Sequence, residues 1–208
     1  PLSYDKLLVG THVLGRRFAA TTAQGEAVGV LLPNVNGVAV TFFALQANGR
    51  VPAMLNFTAG LANLRSACVT AGISTVSTAR AFVEQSKLHD VIAALEGDGR
   101  HILYLEDIGA TVGTVEKLWT LLRVESLSRR HLKLGVSPNA PAVILFTSGS
   151  EGAPKGVVLT HRNLVANMLQ CKALMGSNLN EGCEIMIAPL PLYHIYAFTF
   201  HCMAMMLI

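Results

Sequence analysis

Residues 146 to 161 read FTSGSEGAPKGVVLTH and follow the apolar run Ala140-Pro141-Ala142-Val143-Ile144-Leu145. Three glycines, four hydroxyl side chains and one lysine fall within these sixteen residues. A chain of phosphates needs donors that converge and a backbone that can come close. Glycine allows both, having no Cβ and open φ/ψ space. Thr147, Ser148 and Ser150 add hydroxyl donors, Lys155 adds a mobile point charge, and Pro154 stiffens the approach to it. The Walker pattern does not fit, because Lys155 precedes Gly156 and Val157 follows. The dinucleotide pattern GxGxxG is absent from this loop. A solvent-exposed Ser/Gly loop joining two strands is the competing reading.

A second candidate is Pro191-Leu192-Tyr193-His194. His194 lies in an apolar stretch, where a histidine satisfied inside the core competes with a ligand-facing one. The four cysteines form no CxxC pair and the seven histidines no HExxH, so no metal site is assigned, and reduced cysteines suit a cytoplasmic setting. Arg129-Arg130-His131 is the densest basic cluster in a chain of net charge +3, and a solvated helix face accounts for it without nucleic acid.

These residues need elements to hold them. The chain has 208 residues, 51% hydrophobic and 14% charged, with mean hydropathy +0.46. That suits buried parallel strands, or a piece of something larger whose apolar faces are covered. Strands are expected at 28–32, 51–55, 73–77, 102–105, 142–146, 156–159 and 184–188. Helices are expected from Ser3 to about Phe18, from an Asn34 cap to Asn48-Gly49, from Thr58 to Gly72, over 79–95 and 115–134, and from Thr160. In the last of these Leu164, Met168, Cys171 and Met175 share one face and read as core. Ile195 to Ile208 is a fourteen-residue apolar segment, shorter than the roughly twenty of a membrane span, and no signal peptide is read at the start. The alternation gives an α/β fold with a mainly parallel sheet, whose ligands bind at the carboxyl ends of the strands. The 146–161 loop falls there.

The ordered run from Phe146 to His161 closely resembles the signature of the acyl-adenylate-forming (AMP-binding) enzymes. Residues 1–158 resemble the synthetase half of bacterial bifunctional 2-acylglycerophosphoethanolamine acyltransferase/acyl-acyl-carrier-protein synthetases. That likeness rests on Leu31-Leu32-Pro33-Asn34, the run Arg50 to Gly60, Tyr104-Leu105-Glu106-Asp107 and Gly149-Ser150-Glu151-Gly152. Residues 159–208 resemble bacterial long-chain fatty-acyl-CoA synthetases, through the runs Thr160 to Gln170 and Ala188 to Phe198.

The resemblance implies activation of a long-chain fatty acid by ATP to acyl-AMP and pyrophosphate, then transfer to a thiol of CoA or acyl carrier protein. It implies ATP and Mg²⁺ as cofactors. Thr147, Ser148, Gly149, Ser150, Glu151, Gly152, Lys155 and Gly156 would contact the nucleotide. Lys155 and His194 would serve catalysis, and Tyr193 and His194 would face the substrate. It further implies the N-terminal part of the large adenylation domain, with a candidate sub-division near 135–141. The adenine segment, the ribose aspartate and the small C-terminal domain are not found, and an HxxxxD acyltransferase motif is missing too, so the chain is expected to be an inactive fragment. A non-catalytic nucleotide- or lipid-binding module and adenylation of a different carboxylic acid stay open, as does peripheral membrane contact.

Overall fold

In the computed structural model, which describes residues 2–148, 154–176, 182–183 and 185–207, the strands are β1 (Ala27–Val30), β2 (Val51–Met54), β3 (Thr75–Thr78), β4 (His101–Tyr104), β5 (Pro141–Ser148) and β6 (Pro154–Thr160). They form one sheet in the order β4-β3-β1-β2-β5-β6. The first five are parallel and β6 returns antiparallel to β5. The expected mainly parallel α/β sheet is therefore formed, with one antiparallel edge.

The helices are α1 (Tyr4–Thr21), α2 (Asn36–Gln46), α3 (Leu61–Thr70), α4 (Arg80–Gln85), α5 (His89–Gly97), α6 (Leu105–Ala110), α7 (Thr114–Leu122), α8 (Val124–Leu132) and α9 (His161–Met175). Right-handed crossovers decide which face each covers. The step from β1 to β2 carries α2 to one face, where Leu14, Phe18, Phe42, Leu45 and Leu164 pack on Val28, Val30 and Leu145. The steps from β2 to β3 and from β3 to β4 run the other way. They place Leu64, Phe82, Ile92 and Leu95 on the opposite face against Leu31, Ala53 and Ile144. Buried on both faces, β1, β2 and the 142–145 part of β5 are continuous hydrophobic runs rather than alternating ones.

The Ser3 cap read from sequence is made, and the helix expected from Thr160 carries a cap of its own. Ser3 Oγ accepts the Lys6 N–H at 3.4 Å, and Thr160 and Asn163 close a reciprocal capping box on α9. Gly15 lets α1 lie close on α2, since a Cβ there would stand 2.9 Å from the Ala44 carbonyl oxygen.

Several expectations are corrected. Asn34 does not cap α2: Val35 holds the N-cap position, with no side-chain cap. Thr58 does not open α3. Its N–H and hydroxyl both bond Asn56 Oδ1, and the helix starts after Gly60, at φ +81°. The helix expected over 79–95 breaks into α4 and α5 around Lys87, at φ +53°. That over 115–134 breaks at Arg123. The strand expected at 184–188 is not formed over 185–188, and Glu184 lies outside the described residues. Ile185 and Ile187 are almost fully exposed, so no sheet face holds them extended. The final apolar segment forms a π-helical turn (Ala197–Met203) and then a 3₁₀ turn (Ala204–Leu207). No helix among the described residues is long and apolar enough to cross a membrane.

Candidate active site

The continuous apolar run of β5 and the antiparallel pairing of β6 make the phosphate-loop candidate a hairpin. Phe146 pairs with Gly156, Thr147 with Lys155, and Ser148 with Pro154. The turn therefore opens at the carboxyl end of the parallel strands, where α/β sheets bind ligands. Gly149, Ser150, Glu151 and Gly152 lie outside the described residues, as does the side chain of Ser148. The pairing brings Thr147, Lys155 and Gly156 together. Lys155 is exposed and has no ion pair or hydrogen bond among the described residues, so no described carboxylate takes its charge.

Beside the hairpin lies a cavity of about 240 Å³ lined by Asn56, Thr58, Asn63, Phe146, Thr147 and Pro154, among others. The first turn of α3 opens onto it and carries no acidic residue. A helix N-terminus presents unpaired N–H groups and a partial positive charge, which suit an anion. Thr147 and Lys155 supply further donors of the kind a phosphate takes. Larger grooves exist elsewhere, of about 500 Å³ between α1 and α7 and about 550 Å³ between α8 and α9. Neither holds a residue of the 147–156 motif. Among the described residues no cluster of three or more His, Cys, Asp or Glu side chains could hold a metal ion.

Tyr193 stands edge-on to Phe57, with ring centroids 5.4 Å apart and planes at 89°. Phe57 is itself edge-on to Phe82 at 5.0 Å, which ties Tyr193 to the core under α3 and α4. His194 is exposed, and its ring bonds no described residue. Its backbone is fixed instead: its N–H donates to the Pro191 carbonyl, and its carbonyl accepts from the Phe198 N–H, both at 2.9 Å. A core-satisfied histidine is therefore not what the structure forms. Tyr196 is exposed and stacks on Phe200, while Phe198 is fully buried against Phe42. Tyr193 and His194 do not line the cavity beside the hairpin; the loop between β2 and α3 touches both places, through Phe57 on one side and Asn56 and Thr58 on the other.

Sequence reasoning missed Asn34, Asn56, Phe57 and Thr58 as parts of this site. The Asn-x-Thr spacing after a buried strand was a usable signal, since an asparagine there closes an Asx turn on the residue two further on.

His161 opens α9. Burial, with a smaller contribution from the nearby His131, holds its ring below the ordinary value of 6.5. His12 is held down by burial and then by Arg16. A histidine with a depressed folded value leaves the unfolded chain binding more protons. Stability is then complete above about 6.5 and falls as pH drops through that value. We expect urea midpoints to decrease from pH 7.5 to 5.5, and to decrease less in His161→Asn. An equal decrease in the two proteins would remove His161 from the account.

Solved structures share this architecture. ATP-bound MatB from Rhodopseudomonas palustris superposes with a TM-score of 0.71 at 21% identity, covering 98% of this chain and 38% of that one. The o-succinylbenzoate CoA synthetase MenE from Bacillus subtilis, in complex with the acyl-adenylate intermediate OSB-AMP, gives 0.73 at 17%, covering 98% and 48%. The fold is that of the adenylate-forming enzymes. The AMP-binding enzyme family model matches residues 2–208, and the chain belongs to that family. Curated relatives include 4-coumarate–CoA ligase 2 from Oryza sativa, 28% identical over 90% of this chain, and a long-chain-fatty-acid–CoA ligase from Salmonella typhimurium, 27% identical over 90%. The chain spans 35% and 38% of these two relatives' lengths.

Proposed function

We propose that this chain supplies the phosphate-binding and acyl-facing part of an ATP-dependent acid–thiol ligase acting on long-chain fatty acids. The observation that carries the reading is the β5–β6 hairpin. It sets Thr147 opposite Lys155, which no described carboxylate engages, at the carboxyl ends of parallel strands, beside a cavity with donors and a helix N-terminus.

A carboxylate oxygen of the fatty acid attacks the α-phosphorus of ATP. The new O–P bond forms as the bond to the bridging oxygen breaks, and pyrophosphate leaves with that electron pair. The acid is already ionised near neutral pH, so no protein base is needed. Lys155, Thr147 and the loop they flank hold the β- and γ-phosphates, which fixes the line of attack and offsets charge on the leaving group. To the His194 ring, exposed and hydrogen-bonded to no described residue, we assign a hydrogen bond to the reacting carboxylate. Mg²⁺ bound with ATP would neutralise phosphate charge; Glu151, in the loop, is the residue we would assign to it. The acyl-AMP then passes its acyl group to a thiol of CoA or acyl carrier protein, releasing AMP.

A 74-residue stretch is 40% identical to a long-chain-fatty-acid–CoA ligase from Escherichia coli O157:H7, which favours a fatty acid. The 4-coumarate ligases support a second reading, an aromatic acid. The test extends the chain to its relatives' length and measures carboxylate-dependent ATP–pyrophosphate exchange with palmitate, octanoate and 4-coumarate. We expect palmitate to give the highest kcat/KM. A preference for 4-coumarate would overturn the substrate, and no exchange with any acid would overturn the reaction. A thiol arm with CoA and with acyl carrier protein then assigns the acceptor.

A further inference from the structure

We infer that Asn34 is a positioning residue for the Tyr193–His194 segment, which it clamps across the carboxyl end of the sheet together with Phe57. The inference rests on the adenylation reading above. Asn34 lies in the loop after β1, two residues before α2, which has no side-chain cap. Its Nδ2 amino group donates to the carbonyl oxygens of Ala188 at 3.1 Å and of Leu190 at 3.4 Å. One amide thus spans both ends of a three-residue stretch that has no strand partner and forms no helix.

That stretch leads directly into the segment that carries the site. Three residues after Leu190, Tyr193 meets the edge of Phe57, from the loop after β2. Then the His194 carbonyl accepts from Phe198, whose ring is buried edge-on to Phe42 at 4.9 Å. The segment is held at three points: polar at Asn34, aromatic at Phe57, apolar at Phe198. The His194 ring itself holds nothing among the described residues, so its direction is inherited from these anchors. Asn34 is the one of the three whose side chain holds the main chain leading into the segment. A carboxamide suits the task because its amino group offers two donors to two carbonyls. Aspartate has the same shape and only acceptors, which would face those carbonyls with like charge.

The test compares Asn34→Asp with Asn34→Gln, which keeps both N–H donors on a longer stem. Amide hydrogen exchange is followed in this chain. We expect Asn34→Asp to speed exchange at His194 and Phe198 by tenfold or more, with the β1 and β2 amides unchanged, and Asn34→Gln to return it to within threefold of the parent. In the chain extended to its relatives' length, Asn34→Asp should lower kcat for pyrophosphate exchange at least tenfold while KM for ATP moves less than threefold. Parent-like exchange in Asn34→Asp would overturn the clamp. Faster exchange with unchanged kcat would overturn the positioning role. A catalytically dead extended parent, with the exchange pattern as expected, would instead sink the adenylation reading and leave Asn34 an architectural contact.

Discussion

Phe42→Ala is expected to lower the unfolding free energy by about 3–5 kcal/mol, the range for truncating a fully packed aromatic. Phe42 is only 2% exposed and lies on α2 at the centre of the core that joins α1, α2 and α9 to the sheet. Its ring is edge-on to Phe43 at 5.1 Å and to Phe198 at 4.9 Å. Truncation removes the transfer term, leaves a cavity, and strips two aromatic neighbours of a partner. Phe198 follows the Tyr193–His194 segment, so the same cavity loosens the segment's apolar anchor. Urea denaturation checks the figure. Phe42→Leu should lose much less, because it refills most of the space. A loss under about 1 kcal/mol for the alanine variant would mean that α2 is not packed as described.

Lys155→Ala is expected to leave stability within about 0.5 kcal/mol of the parent, as surface substitutions without a structural partner do. Its effect falls on ligand affinity. A charge-assisted hydrogen bond contributes about 1.5–3 kcal/mol, so removing it should weaken Mg·ATP binding at least tenfold, about 1.4 kcal/mol. The lysine sits at the mouth of the hairpin, with no described carboxylate to neutralise it. Salt therefore matters: with a screening length of about 8 Å at 0.15 M, the loss should grow as ionic strength is lowered. Lys155→Arg keeps the charge and should keep much of the affinity. Calorimetry on the chain reads all three proteins, and equal affinities across them would remove Lys155 from the phosphate site.

Much of the fold was legible because it depends on local patterns. Uninterrupted apolar runs such as Val28 to Leu32 and Ala142 to Leu145 are strands covered on both faces, whereas of the α9 face read as core only Leu164 is buried, Met168, Cys171 and Met175 being half-exposed. The Ser3 cap followed from side-chain chemistry within three residues, and α9 starts where expected, just after Thr160. What failed depends on partners far along the chain. Asn34 looks like a helix cap until its amide is seen bonded to carbonyl oxygens 154 and 156 residues later. Thr58 looks like a cap until Asn56 takes both its donors. Ile185 and Ile187 have the composition of a strand, but they are almost fully exposed and no described strand pairs with them. Within the site, the motif identified the hairpin and its lysine. It could not reveal that His194 would be exposed, because an apolar neighbourhood in sequence does not specify what covers a side chain in space.

The most direct test of the phosphate-binding claim is chemical labelling with an acyl-phosphate derivative of ATP. The amine of a lysine beside the terminal phosphate attacks the acyl carbon, an amide forms, and ATP leaves. The chain offers Lys6, Lys87, Lys117, Lys133, Lys155 and Lys172 to the probe. At low probe concentration the label should fall chiefly on Lys155, and excess Mg·ATP should suppress it there and not at the other five. Labelling spread across all six lysines, with no protection of Lys155 by ATP, would contradict the hairpin's assignment as the phosphate site.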